Sequence, residues 1–450
     1  MLSKRLSRRA FLRSAALLTV GVLWGACAPK PTPTVPPTKV AEQPTAKPAE
    51  KELVVVTYWP PPWVAGEEEP KVGELWNTKY KESKRIECQI TVFPPDQFEQ
   101  KVEAGLTAGN AADIIFTSPI ELYTRVKRGW FVSLQGYIDR DIKMDDYFPQ
   151  TLNYLKFPET GGGEFYGLPR DWVVAVVTYN KDIFDAAGVP YPKDGWTFDD
   201  LREMAMKLTK TEGDKTIYGF NPFGRTPWRT KLWGDGGKKL ADDRSQCFFD
   251  SEISINAAQF FTDMLLKDKT IPKSGAFPKG INPFAAGLIA MELPWCCNQI
   301  VGKEIGDKFK WDIEVVPKGS KTHRTYGGPD GISMASTCKH RDETWEVMKF
   351  ITTDPETAFF FAGRPGFLPF SKAIWNSPEI KKAFNCPSYE RVMMRSADIL
   401  IAEYSMGFQE WSEALSAAFE AIMLEKKTVP EAMKEAKEKT DKILAEWYKK

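Results

Sequence analysis

Three short β-branched runs, separated by stretches at helical spacing, set the first limit on how this chain can fold. "ELVVVTYW", with its strand from Leu53 to Trp59, reads as a buried strand closed by Pro60-Pro61-Pro62. "RIECQITVF" places Ile86, Cys88, Ile90 and Val92 on one face at a period of two. "PPDQFEQKVEAGLTAG" follows, with Asp96 and Glu99 spaced as a capping box ahead of Phe98, Val102 and Leu106 at helical spacing. The apolar run "ADIIFT" closes the series. Parallel neighbours need a crossover helix between them, so this rhythm predicts an α/β fold with a mostly parallel sheet flanked by helices. In such sheets ligands sit beyond the carboxyl ends of the strands, where "WPPPW" (Trp59 to Trp63) and "TSPIE" (Thr117 to Glu121) fall.

The alternation resumes downstream. "WVVAVVTYN" reads as a strand from Trp172 to Tyr179, and "TFDDLREMAMKLT" as a capped helix with Leu201, Met204, Ala205 and Leu208 on one face. A second α/β unit is therefore expected. The tail from Trp411 to Trp447 is helical, with Leu415, Ala418, Phe419 and Ile422 on one face and a new start at "TVPE", where Thr428 and Glu431 have capping-box spacing. At 450 residues and 42% hydrophobic the chain suffices for two domains with sizeable cores. The net charge of +1 leaves no basic excess to hold nucleic acid.

The N-terminus carries a different kind of signal. In "LSRRAFLRSAALLTVGVLWGAC" the basic Arg8, Arg9 and Arg13, with Lys4 and Arg5 before them, precede an apolar segment from Ala15 to Ala26 that is too short for a stable membrane span. Residues 1–27 read as an export signal. "SRRAFLR" resembles the twin-arginine signature, and the general secretory route is the alternative. "WGAC" resembles a lipobox ending at Cys27, whose thiol would take the lipid, with Trp24 where a smaller residue is usual. The competing interpretation is a short buried helix ending in an ordinary cysteine. Residues 28–50, rich in Pro and Thr, are expected to form a disordered tether, which at about 3.1 Å per residue reaches tens of ångströms.

Catalytic constellations are scarce. His323 and His340 are the only histidines, and H-E-x-x-H, G-x-S-x-G and P-loop patterns are missing. "GDGGKK" lacks the spacing of a phosphate loop. Asp171, Asp235 and Asp330 are the candidates for a glycosidase-like carboxylate pair. Cys88, Cys247, Cys296, Cys297, Cys338 and Cys386 are scattered in a way that fits either buried thiols or a few disulfides, and no metal or cofactor is expected.

"GEFYGLPRDWVVAVVTYNKDIFDAAGVPYP" (Gly163 to Pro192), followed by "WTFDDLREMAMKLT", resembles the central signature of bacterial extracellular solute-binding proteins of the sugar-binding, maltose-binding-protein-like class that serve ABC importers. "LTAGNAADIIF", "RVKRGWFVSLQGYI", "LWGDGGKKLADD", "FAAGLIAMELPW", "YGGPDGISM" and "TWEVMKFITTDPE" also resemble segments of that family, in its order. Ala112 stands where proline is more common. The resemblance implies a two-lobed periplasmic-binding-protein fold of type II character with a ligand cleft between the lobes. Lobe one would comprise residues 51–171 and 327–370, and lobe two residues 172–326 and 371–450. It further implies a monomeric, membrane-anchored, extracytoplasmic protein without catalytic activity, which closes on a carbohydrate and delivers it to permease subunits.

Sugar recognition needs flat apolar faces for ring C–H surfaces and planar polar groups for hydroxyls. By the resemblance Trp295 and Trp411 lie close to stacking positions, and loop placement adds Trp63, Trp172 and Trp233. Packing in the core or at the lobe interface is the competing assignment for each, with ligand contact favoured for Trp295. Gly328 and Asp330 belong to a turn where backbone and carboxylate would reach hydroxyls, while Asp171 and Ser118 are either ligand contacts or caps. Trp345, on a helix with Val347, Met348 and Ile351, is assigned to the core. Two other functions stay open. A phosphorylated polyol such as glycerol phosphate would use Arg170, Arg225, Arg229 or Arg364 as forks, and a secreted carbohydrate-active enzyme would use the carboxylate pair.

Overall fold

The computed structural model describes residues 52–61, 68–158, 162–213, 215–222, 224–294, 304–362, 368–383, 386–402 and 404–448. Each of the first three β-branched runs forms a strand: β1 (Val54–Trp59), β2 (Ile86–Ile90) and β3 (Ile114–Thr117). Helices α1 (Glu68–Lys84) and α2 (Phe98–Ala108) make the crossovers, so β1 pairs in parallel with both β2 and β3. The indole N–H of Trp76 on α1 donates to the Ile86 carbonyl at 3.0 Å and ties helix to sheet. The expected capping box on α2 is not made: Gln97 is the N-cap, and Glu99 instead pairs with Arg125 at 2.7 Å. Helix α3 (Pro119–Lys127), directly after β3, does have one, built from Ser118 and Glu121.

The apolar run from Trp172 to Tyr179 is not one strand. It divides into β4 (Leu168–Val174) and β5 (Val177–Asn180), which belong to different sheets. Ala175 and Val176 between them are fully buried, so the hydrophobic pattern continues through the change of sheet. Helix α4 (Phe198–Leu208) carries the expected Thr197–Asp200 capping box and buries Leu201, Ala205 and Leu208, with Met204 partly buried. The hairpin β6 (Lys210–Glu212) and β7 (Lys215–Pro222) follows, then α5 (Thr226–Gly234) and α6 (Glu252–Leu266). Strands β8 (Ile289–Leu293) and β9 (Trp311–Glu314) complete a five-stranded sheet in the order β9-β5-β8-β7-β6.

The chain then returns to the first sheet as β10 (Thr325–Met334), which inserts antiparallel between β3 and β4. A Cβ at Gly327 would stand 2.4 Å from the Val173 carbonyl oxygen, so only glycine admits this close pairing. The two crossings are tied to each other, since Ala175 N–H donates to Tyr326 O at 2.7 Å and the Thr325 hydroxyl donates to Ala175 O at 2.6 Å. Helix α7 (Arg341–Thr353) buries Trp345, Val347, Met348 and Ile351, as expected. Strand β11 (Leu368–Pro369) adds to the sheet edge beside β4. Helix α8 (Tyr389–Asp398) docks on the second sheet through the Arg391 fork on Glu314, at 3.0 and 2.8 Å. Strand β12 (Leu400–Ile401) runs back along β10 at Thr325 and Tyr326.

The first sheet thus has seven strands in the order β11-β4-β10-β3-β1-β2 with β12 beside β10, and both sheets are mixed. The mostly parallel character expected from the sequence is confined to β1–β3 and the β7–β8 and β10–β12 pairs. Apart from the β6–β7 hairpin, the antiparallel pairs of these sheets involve the crossing strands β4, β5 and β10. Helices α9 (Phe408–Met423) and α10 (Val429–Tyr448) pack on each other, and the Thr428–Glu431 capping box starts the second. Cys88, Cys247, Cys338 and Cys386 are free, buried thiols, whereas Cys296 and Cys297 lie outside the described residues. Among the described residues no helix is long and apolar enough to cross a membrane.

Candidate ligand-binding site

Two polar constellations lie near the strand crossings, and they differ in kind. The first is sealed inside the seven-stranded sheet. Arg170 on β4 donates from Nη1 to Glu69 at 3.0 Å and to the Tyr58 hydroxyl at 3.2 Å, and from Nε to Asp171 at 2.7 Å. Its guanidinium lies 5.1 Å from the centre of the Phe116 ring. Burial works against its charge, but Asp171, Tyr58 and Glu69 together hold it more firmly protonated than usual. Asp330 on β10 is the cross-strand partner of Asp171 and hydrogen-bonds to it. Burial first, and then the neighbouring Asp171, push the Asp330 carboxyl well above the usual carboxylate range.

This geometry corrects the carboxylate-pair expectation. A glycosidase pair stands about 5–9.5 Å apart with the sugar between, whereas Asp171 and Asp330 are buried cross-strand neighbours that bond to each other. Asp235 lies elsewhere, paired with Lys231 at 2.8 Å and accepting the Ser320 N–H at 2.9 Å. Ser118 is occupied as a cap: its hydroxyl accepts from Ile120 N–H at 3.2 Å and donates to Glu121 at 2.6 Å. Burial, followed by the charge of Glu99, pushes the Glu121 carboxyl up to about 7. Gly328 sits inside β10 opposite Val173 rather than in a turn.

The tryptophans are corrected in the same way. Trp172 is fully buried on β4, with its indole N–H donating to Pro369 O at 3.1 Å. Trp411 is buried in the seam of α9, donating to the Ser405 hydroxyl at 2.8 Å and packed on Phe408 with ring centres 4.6 Å apart. Both are packing residues because their elements are covered on that face. Trp233 is buried and stacks on Tyr326, but its edge also lines a cavity of about 460 Å³ with Tyr154, Arg324 and Ala402. Trp63, Trp295 and Arg364 lie outside the described residues.

The second constellation is an open cavity of about 540 Å³. Its walls come from the start of α3 (Ile120), the start of α5 (Arg225, Thr226, Arg229), the crossing strand β10 (Tyr326) and the first turns of α9 (Phe408, Gln409, Ser412). Helix α5 begins just past the carboxyl end of β7, the place where open α/β sheets receive ligands. Arg225 donates to the Ser412 carbonyl, to the Ser412 hydroxyl at 2.9 Å and to the Ser416 hydroxyl. Burial, then the adjacent Arg229 charge, bring the pKa of its guanidinium down to about 10. One turn later Arg229 lies 4.4 Å over the Tyr326 ring, and the Tyr326 and Tyr404 hydroxyls bond at 2.7 Å. An apolar annex of about 430 Å³ shares Gly224, Phe419 and Met423 with this cavity and is lined further by Trp228, Phe261 and Phe277. Tyr326, Gln409 and Ser412 were not singled out in the sequence. Only long-range pairing brings them beside α5.

The chain belongs to the bacterial extracellular solute-binding protein family, whose model matches residues 65–358. A binding protein of Brucella abortus is 26% identical over 373 residues, covering 81% of this chain and 87% of that protein. The maltotriose-binding protein of Pyrococcus abyssi is 23% identical over 299 residues, covering 66% of this chain and 62% of that protein. Among solved structures, the ABC substrate-binding protein of Listeria monocytogenes in complex with cycloalternan has a TM-score of 0.75 at 19% identity and covers 88% of this chain and 100% of its own. The fold is that of the two-lobed periplasmic binding proteins.

Proposed function

We propose that this protein is the extracytoplasmic substrate-binding lipoprotein of an ABC importer, which captures a carbohydrate between its lobes and hands it to the membrane permease. The observation that carries this reading is the 540 Å³ cavity, because its walls come from α3 after the first sheet, α5 after the second, and the strand that crosses between them. Closure around such a site buries a polar ligand that one open surface would leave wet, and the added contacts in the closed state drive the closure. The relatives that bind maltotriose and cycloalternan support a carbohydrate ligand.

The proposed lobe limits are 51–171 with 327–370, and 172–326 with 371–450; the changes of sheet at Ala175–Val176 and between Glu314 and Thr325 support the first two limits to within several residues. Trp63 and Trp295 follow β1 and β8 at their carboxyl ends and are proposed as stacking faces for sugar rings. The protein acts as a monomer without catalysis. It is exported by its twin-arginine leader, held by a lipid on Cys27 and spaced from the membrane by residues 28–50, which raises the local concentration of loaded protein at the permease.

A thermal-shift panel of sugars, oligosaccharides and polyols tests the capture. A ligand at 100 times its dissociation constant should stabilise the protein by about 2.7 kcal/mol and should be recovered unchanged. A cleaved product would overturn the reading. Cys27→Ala should move the protein from the membrane fraction to the soluble exported fraction with unchanged affinity. Persistent membrane association would refute the lipid anchor.

A further inference from the structure

We propose that the captured solute carries an oxyanion, a carboxylate or phosphate on a polyhydroxylated skeleton, and that Arg225 and Arg229 receive it. The proposal rests on the 540 Å³ cavity being the capture site. Four of the described arginines allow a comparison. Arg125 pairs with Glu99 and Glu103 at 2.7 and 3.1 Å, and Arg170 with Glu69 and Asp171 at 3.0 and 2.7 Å. Arg225 and Arg229 form no ion pair with any carboxylate among the described residues. Arg225 reaches only hydroxyls and a carbonyl.

Arg229 is only 7% exposed, faces the Tyr326 ring, and its Nε has no hydrogen-bond partner among the described residues. Desolvating a guanidinium without an acceptor is costly, and placing a second one beside it adds like-charge repulsion. Both costs fall if an anion joins the pair. Among the described lining residues the one acidic side chain is Glu420, which is exposed at the mouth and ion-paired with neither arginine.

The donor set points the same way. A guanidinium has donors and no acceptor. A neutral sugar hydroxyl both gives and takes, whereas a carboxylate or phosphate only accepts and matches a fork bidentately. Spacing of one helical turn puts both arginines on one wall, with Tyr326 against Arg229, and the apolar annex shares Gly224, Phe419 and Met423 with the cavity.

Calorimetric titration of the purified protein with matched pairs tests this: glucose against glucuronate and glucose 6-phosphate, and glycerol against glycerol 3-phosphate. We expect one anionic member to bind at least about thirtyfold tighter than its neutral counterpart, with an advantage that shrinks as salt rises. Whether the uronate or the phosphate wins identifies the anion. Arg229→Gln should abolish that advantage while leaving the melting temperature close to that of the parent, and Arg229→Lys should restore part of it. Arg225→Lys is the second probe, since it keeps charge where Arg225→Gln risks loosening α9. Neutral members binding as tightly as anionic ones would overturn the anion assignment and leave sugar capture standing. An anionic advantage unaffected by either arginine variant would also overturn it. If no member of either class binds, in this set or in the wider sugar panel, the capture reading itself falls.

Discussion

The molecule holds positive charge in two opposite ways. Within the seven-stranded sheet Arg170 is enclosed by Glu69, Asp171 and the Tyr58 hydroxyl. At the start of α5, Arg225 and Arg229 lie side by side with hydroxyls, a carbonyl and an aromatic ring. The first arrangement finds its counter-charges within the fold and fastens α1 to the strands. The second leaves guanidinium donors facing a cavity. Arg170 meets carboxylates of its own fold, whereas Arg225 and Arg229 meet none among the described residues.

The largest effect should come from breaking the matched site. Arg170→Met leaves Glu69 and Asp171 buried without their cation and should cost about 3–5 kcal/mol of stability. Arg229→Met should cost far less, because no carboxylate depends on it. Denaturant titration of the two variants measures the contrast, and equal losses would erase the distinction.

The tryptophans extend the comparison. Trp172→Ala and Trp411→Ala should each lower stability by about 3–5 kcal/mol, since both are enclosed on all sides and hydrogen-bonded to neighbours. Trp295→Ala, at the carboxyl end of β8, should instead cost about 2 kcal/mol of binding with little change in melting temperature. If Trp411→Ala left stability intact and weakened binding, its assignment to the interior would be wrong.

A titration sharpens the electrostatics at the start of α3. Burial and Glu99 raise the Glu121 carboxyl to about 7, above the ordinary glutamate value of about 4.3. The folded state therefore binds more protons than the unfolded one between those values. This contribution to stability is fully present below pH ~4.3 and is lost as pH rises through about 7, by at most about 1.4 kcal/mol for each pH unit. Glu121→Gln should flatten that fall, and an unchanged pH profile of urea unfolding would show that the carboxyl titrates normally.

Much of the scaffold was legible because its signals are local. The β-branched runs at Val54, Ile86 and Ile114, the Thr197 and Thr428 capping boxes and the buried face of α7 all follow from neighbouring residues. The break between Val174 and Val177 was hidden, because a chain passing from one buried sheet to another stays apolar throughout. Glu99 had the spacing of a cap, but Arg125, distant in sequence, claimed it. The period of α9 carried a warning that was available: Trp411, Leu415, Ala418 and Ile422 share its buried face, so the indole points inward. The cavity was the least legible part. Arg225 and Arg229 stood out only as possible forks, and what makes them a site is the arrival of Tyr326 and Ser412 from roughly a hundred or more residues away.

The smallest expected effect separates a cap from a contact. The Ser118 hydroxyl accepts from Ile120 N–H and donates to Glu121, so its bonding capacity is largely spent on the first turn of α3. Ser118→Ala should therefore cost about 1 kcal/mol of stability and leave affinity unchanged. Ser118→Asp makes the sharper variant: aspartate caps as well as serine does, but it sets a negative charge against Glu121, so it should recover stability only at low pH, where Glu121 is protonated. Should Ser118→Ala weaken ligand binding tenfold at unchanged melting temperature, the hydroxyl faces the ligand after closure. The start of α3 would then supply a polar contact to the same ligand as Arg225 and Arg229, and the contrast between matched and unmatched arginines would have to be redrawn.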